Sequence, residues 1–176
     1  MNAGIIVCGL NGSGKSTLGR ALAKAIEFHF SDCEDLYFPK TDPQYIYASP
    51  RSRTEAEKRL MTEVREHQNF VLAAVKGDFG KDILPFYRCA VLISVPKEIR
   101  MKRVRNRSFQ KFGERMLPGG DLYEQEEAFF KMAELRTERE VEEWVQSLDC
   151  RIIRVDGTKP VEENIVLIKK RIICCD

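Results

Sequence analysis

The sequence predicts an α/β fold, a five-stranded, mainly parallel sheet with helices on both faces. Three observations predict it. Five short apolar runs rich in β-branched residues occur at 4–8, 28–31, 70–75, 90–95 and 151–155. Segments with helical apolar spacing lie between them. Strands that alternate with helices must pair in parallel, and right-handed crossovers place the helices on both faces. At 176 residues the whole chain, 1–176, reads as a single domain.

Each element has its own signal. Residues 4–8 (GIIVC) form a continuous apolar run, as a strand buried on both faces does. Residues 9–14 are a glycine-rich loop, and 15–27 place Leu18, Leu22, Ala25 and Ile26 on one helix face. The second strand ends at Asp32. Residues 33–53 hold Pro39, Pro43 and Pro50 and read as loop with room for a short helix. Thr54-x-x-Glu57 has the form of a capping box and predicts a helix to about residue 66. After the third and fourth strands, Pro96 can open a helix to about residue 107. Residues 108–120 carry Gly113, Pro118, Gly119 and Gly120 and read as a loop. Asp121-x-x-Glu124 predicts a long acidic helix to about residue 148. A last helix covers 160–173, after the fifth strand.

Composition excludes several classes. Apolar residues make up 43% and charged residues 32%, too apolar for a disordered chain. No apolar run approaches the roughly 20 residues of a membrane helix. The N-terminus lacks the basic region and cleavage site of a signal peptide, so the expected compartment is the cytoplasm. Six cysteines show no C-x-x-C pair, and His29 and His67 stand far apart, so no zinc-ligand spacing is present. The cysteines read as small buried residues in a reducing compartment, with Cys174-Cys175 near the tail. The net charge of +2 conceals two opposed blocks. Residues 96–115 hold eight bases and two acids; residues 121–143 hold nine acids and three bases.

Gly9-Leu10-Asn11-Gly12-Ser13-Gly14-Lys15-Ser16 matches G-x-x-x-x-G-K-[ST] between a strand and a helix. Glycines let backbone N–H groups approach phosphate oxygens, and the helix N-terminus adds its positive dipole. Lys15 can reach the β- and γ-phosphates, and the Ser16 hydroxyl can ligate Mg²⁺. The loop and its first helical turn (Gly9, Asn11, Gly12, Ser13, Gly14, Lys15, Ser16, Thr17) are the expected ATP-phosphate site.

Around this motif the chain resembles the adenylate kinase and shikimate kinase group of small P-loop kinases. Residues 9–23 are similar to shikimate- and gluconate-kinase-type sequences. Phe30-Ser31-Asp32-Cys33-Glu34 is similar to their F-x-D-x-D. The resemblance implies a three-layer P-loop NTPase fold with a short lid, and ATP and Mg²⁺ as cofactors. It makes Asp32 the Mg²⁺-side acid and candidate base. Glu34 becomes a candidate acceptor contact, with Asp35 competing for that role. Residues 96–107 resemble the adenylate-kinase helix that leads into the lid, implying that Arg103 flanks the adenine and Arg107 contacts phosphates. The remaining bases there, Arg100, Lys102 and Arg105, read more as a solvated helix face. Residues 155–161 (VDGTKPV) resemble the adenine-holding loop, which assigns Gly157, Lys159 and Pro160 to the nucleotide.

One departure bears on the acceptor. Adenylate kinases carry D-G-F-P-R after the third strand, where this chain has Val75-Lys76-Gly77-Asp78-Phe79-Gly80. AMP is thereby disfavoured, and Lys76 and Asp78 become contacts for another acceptor. The acceptor-binding segment is taken as 33–66, with Arg51 and Arg53 suited to an anionic group. Residues 108–120 are the expected lid, which would exclude water during transfer. By order in the chain, Arg136 and Arg139 resemble the two arginines that clamp the moving phosphoryl; otherwise they pair with surrounding glutamates.

The leading expectation is therefore an ATP-dependent kinase of a small metabolite or nucleotide, with Lys15, Asp32, Arg107, Arg136 and Arg139 as catalytic residues. It requires no membrane and no obligate protein partner. A regulatory ATPase or nucleotide switch without acceptor is a second reading. A nucleic-acid end kinase is a third, invited by the basic block but lacking stacking aromatics other than Phe109 and Phe112.

Overall fold

The structure, a computed structural model, describes residues 3–173. The strands are β1 (Ala3–Cys8), β2 (His29–Asp32), β3 (Asn69–Ala74), β4 (Tyr87–Ser94) and β5 (Arg151–Asp156). They form one parallel sheet in the order β2-β3-β1-β4-β5. β1 lies at its centre, with Val7 opposite Ala73 on one side and Val91 on the other.

Alternation along β1 serves two cores. Ile5 and Val7 face the layer built by α1 (Lys15–Ile26) and α7 (Val161–Ile173), where Leu18, Leu22 and Ile168 are buried. Ile6 and Cys8 face the opposite layer. There α2 (Cys33–Tyr37), α3 (Arg53–Glu66) and α6 (Glu138–Gln146) bury Leu36, Leu60, Val64, Val141 and Val145. α4 (Lys97–Phe112) and α5 (Tyr123–Leu135) pack on each other around Val104, Met116 and Phe130. The fold class read from the sequence is the one observed.

Several boundaries differ from expectation. α3 starts two residues earlier, because Ser52 rather than Thr54 is the cap. Its hydroxyl accepts the Glu55 N–H at 3.3 Å while Glu55 Oε2 accepts the Ser52 N–H at 2.9 Å. β4 begins at Tyr87, which is buried and donates its hydroxyl to Gly77 O at 2.9 Å. The expected lid, 108–120, is helical in its first third: α4 runs on to Phe112, with Ser108 buried. A 3₁₀ turn over Gly113–Met116 follows. Asp121 caps nothing. It pairs with Arg115, Oδ2 to Nη2 at 2.6 Å. The long acidic helix is broken at Arg136, whose backbone is extended, by a second capping box between Thr137 and Glu140.

The break and the α4–α5 packing explain the charge pattern. The basic and acidic blocks face each other and exchange ion pairs: Lys97 with Glu134 at 3.3 Å, Arg105 with Glu127 at 2.8 Å, and Arg115 with Asp121. Arg105 also lies over the Phe130 ring, 4.3 Å from its centroid. Part of the basic face is thus neutralised within the molecule.

Cys8, Cys33, Cys89 and Cys150 are free thiols. Burial pushes Cys8, Cys33 and Cys89 up to about 12, so none of these three is a thiolate at neutral pH. Cys174 and Cys175 lie outside the described residues.

Candidate active site

The loop between β1 and α1 turns at Gly9, Gly12 and Gly14, all with positive φ. Gly12 is the most constrained: at φ +81 a Cβ would stand 2.3 Å from Arg100 O. Lys15 folds back under the loop and donates from Nζ to Leu10 O at 3.4 Å. Burial, with Arg107 close by, lowers its ammonium to about 8 against the opposing pull of Asp32. Lys15 as a whole is half-buried. Arg136 lowers its ammonium as well, so Lys15 feels the charges of Arg107, Arg136 and Asp32 together. The loop and the end of β2 at Asp32 lie at the carboxyl ends of the strands, where open α/β sheets bind ligands.

Asp32 ends β2 and caps α2, accepting the Glu34 N–H at 2.9 Å. Ser16 lies in the first turn of α1, half-buried, and Thr17 beside it is exposed. A hydroxyl and a carboxylate are hard oxygen donors, the type that Mg²⁺ takes, with phosphates and water completing its shell. Ser13 is buried, with its hydroxyl unpartnered among the described residues.

Arg136 donates from Nη1 to Asn11 Oδ1 at 2.8 Å and so sits on the loop. Arg139 does not. The helix break moves it onto α6, where it pairs with Glu143 at 2.6 Å and its side chain is 84% exposed. Arg103 donates to Gly157 O at 3.1 Å and to Gly12 O at 3.5 Å, joining the loop after β5 to the phosphate loop. Gly157 is required there, since a Cβ would lie 2.5 Å from Ile93 and Val95 methyls. Lys159 is exposed in the turn that follows, and Pro160 precedes α7.

On the acceptor side, Glu34 meets Lys40 at 3.1 Å and Lys111 at 3.6 Å. Burial pushes its carboxyl up, but Lys111 and Lys40 together hold it below the usual range. Asp35 pairs with Lys40, and Lys76 with Asp78 at 3.9 Å. Lys111 also donates to the Tyr47 hydroxyl. Tyr45 donates to the buried Glu126 at 2.9 Å, and both tyrosines pack on Phe112. The segment from Phe38 to Tyr47 is therefore closed against the α4 end. Arg51 and Arg53, expected to meet an anionic group, have protein partners. Arg51 donates to Asp35 O and Leu36 O, each at 3.0 Å. Arg53 pairs with Glu57 and donates to Asp78 O.

Sequence reasoning missed Arg100, Lys111 and Glu126. Arg100 is 3% exposed and donates from Nε to Val95 O and from Nη1 to Asn11 O, both at 3.2 Å. Its place in the first turn of α4 carries no sign of this burial, which comes from the phosphate loop, distant in sequence. Nor does any signal mark Glu126, which lies among eight other acids of its block.

Residues 5–116 match the family described as "AAA domain". The chain belongs to this family. Over 173 residues this AAA-domain protein is 27% identical to "Uncharacterized protein YqaC" of Bacillus subtilis (strain 168), covering 94% of each chain. Its fold is similar to that of a gluconokinase from Sinorhizobium meliloti 1021, with TM-score 0.54, 16% identity, and 94% and 89% of the two chains covered. It is also similar to shikimate kinase from Aquifex aeolicus, with TM-score 0.53, 19% identity, and 96% and 95% covered. The AAA-domain protein thus has the fold of the small P-loop kinases. Among the described residues no helix is long and apolar enough to cross a membrane.

Proposed function

We propose that this protein is an ATP-dependent kinase that transfers the γ-phosphoryl group to a hydroxyl of a small metabolite or nucleotide. The observation that carries the reading is that Arg136 bonds the loop at Asn11 while Arg107, Arg136 and Asp32 all act on the charge of the loop lysine, Lys15. Several cations and one carboxylate acting on the loop lysine suit a reaction in which the protein supplies charge neutralisation and position rather than covalent chemistry. The fold shared with a gluconokinase and a shikimate kinase supports it.

In this reading the loop amides and Lys15 hold the phosphates. Arg103 and the turn at Gly157–Pro160 flank the base. Ser16 and Asp32 would hold Mg²⁺, which when bound neutralises phosphate charge. The acceptor oxygen bonds to the γ-phosphorus as the bond to the β,γ-bridging oxygen breaks. Asp32 takes the acceptor proton, and ADP leaves. Arg107 and Arg136 face the charge that builds on the transferring group. The acceptor lies between Asp32, Glu34, Lys76, Asp78 and the segment closed by Tyr45 and Tyr47. The partners are ATP and this acceptor. Internal pairing of the basic block argues against a nucleic-acid surface.

The test is ADP release and acceptor labelling from γ-labelled ATP and Mg²⁺ against alcohols, sugar acids and nucleotides. Labelled acceptor is the expected result. Phosphate release that no acceptor alters would favour a regulatory ATPase.

A further inference from the structure

We propose that Arg100 is a positioning residue that presets the phosphate loop, turning the Gly12 N–H into the loop to receive a β-phosphate oxygen. Its burial sets the constraint. An arginine 3% exposed must have its donors satisfied, or the cost of removing the charge from water is uncompensated. Arg100 has no carboxylate partner among the described residues; its acceptors are two main-chain carbonyls. Nε donates to Val95 O at the exit of β4, and Nη1 to Asn11 O in the loop, each at 3.2 Å. The guanidinium is flat and its donors are fixed in one fork, so holding one carbonyl sets the direction of the other.

The effect on the loop follows from peptide geometry. In a planar trans peptide the C=O and the following N–H point in opposite directions. With Asn11 O drawn toward α4, the Gly12 N–H faces away from α4. Among the described residues that N–H has no acceptor within the protein, whereas the next one, Ser13 N–H, bonds Leu10 O at 3.1 Å. A cation on the carbonyl also polarises the peptide and strengthens its N–H as a donor. A second contact fixes the same peptide. Arg100 O lies where a Gly12 Cβ would stand, at 2.3 Å, so the backbone of α4's first turn seats directly on Gly12. Arg136 holds the Asn11 side chain from the other end of the lid region, at 2.8 Å. α4 thus carries Arg103 and Arg107 for the nucleotide and, one turn earlier, the residue that shapes the loop for it.

The inference rests on nucleotide binding at the loop, not on transfer, so it stands or falls separately from the kinase reading. It is tested by the dissociation constants of ATP, ADP and AMP, measured by NMR titration on wild type, Arg100→Met and Arg100→Lys. Arg100→Met keeps the apolar stem and removes both donors. Affinity for ATP and ADP should fall roughly tenfold, the effect of one well-placed bond, while AMP, which lacks a β-phosphate, changes less than twofold. Arg100→Lys keeps the charge with one reachable carbonyl and should recover part of the loss. The Gly12 amide resonance is the second readout. It should shift on ADP addition in wild type and shift less in Arg100→Lys, which keeps the test open if Arg100→Met does not fold. Equal weakening of ATP, ADP and AMP would reduce Arg100 to a packing residue. Unchanged ADP affinity, or a Gly12 amide that does not respond to ADP in wild type, would also overturn the proposal.

Discussion

Raising the pH from 7 to 9 should weaken ATP binding through Lys15. Burial beneath the loop and the neighbouring Arg107 lower its ammonium to about 8 in the free protein. Below that pH the lysine carries its proton; above it the free site has lost it. Bound phosphate is an anion beside the ammonium and returns its pKa well above 9, so binding takes up a proton wherever the free lysine is neutral. With a free pKa of about 8, roughly a tenth of Lys15 is neutral at pH 7, half at pH 8 and nine-tenths at pH 9. Apparent affinity should then fall by about twofold from pH 7 to 8 and about fivefold from pH 8 to 9, near tenfold in all. Calorimetry at pH 8 in two buffers of different ionisation enthalpy should show uptake of about half a proton per ATP. Arg107→Ala removes the neighbouring cation and should move the midpoint upward. Lys15→Arg, charged throughout, should flatten the profile. Affinity that is constant from pH 7 to 9, with no proton uptake at pH 8, would refute both the burial of the ammonium and its contact with phosphate.

Three further outcomes follow from the same geometry. Arg107→Ala should lower kcat by roughly a hundredfold while raising the Kd for ATP much less, because its charge matters most where phosphoryl charge builds; an equal loss in both would make it a ground-state contact only. Arg136→Ala frees Asn11 and should reduce kcat/KM at least tenfold, roughly the effect of one charged hydrogen bond. Arg139→Ala, which loses only the exposed pair with Glu143, should stay within about twofold; steady-state kinetics on both variants separate the two arginines. Ser52→Ala should destabilise the protein by about 1 kcal/mol, lowering Tm by roughly 2–4 °C, whereas Thr54→Ala should leave Tm within about 1 °C. The reverse order would restore Thr54 as the cap.

Much of the fold was legible because its signals are local. The run GIIVC, the loop Gly9–Ser16 and the alternation of strand and helix each lie within a dozen residues. The parallel sheet follows from them by topology alone. What was illegible depends on contacts between distant segments. Ser52 and Thr54 both start S/T-x-x-E patterns, and only core burial of Ala56, Leu60 and Val64 decides between them. The break at Arg136 had a local sign, Thr137-x-x-Glu140, but an unbroken acidic run obscured it. Arg100 looked like its solvated neighbours because burial by another loop leaves no mark on periodicity. Arg51 and Arg53 suited an anion by type, but hydroxyl, carboxylate and carbonyl partners cannot be told apart from type. The +2 net charge likewise hid its meaning until α4 and α5 were seen to exchange ion pairs.

The central claim is transfer of phosphoryl to an acceptor. Its most direct measurement follows γ-labelled ATP with Mg²⁺ into product across the acceptor panel, for wild type and Lys15→Ala. The expected result is label on at least one hydroxyl-bearing acceptor, absent in Lys15→Ala. Tight ATP binding with label appearing only as free phosphate, at a rate no acceptor changes, would contradict it.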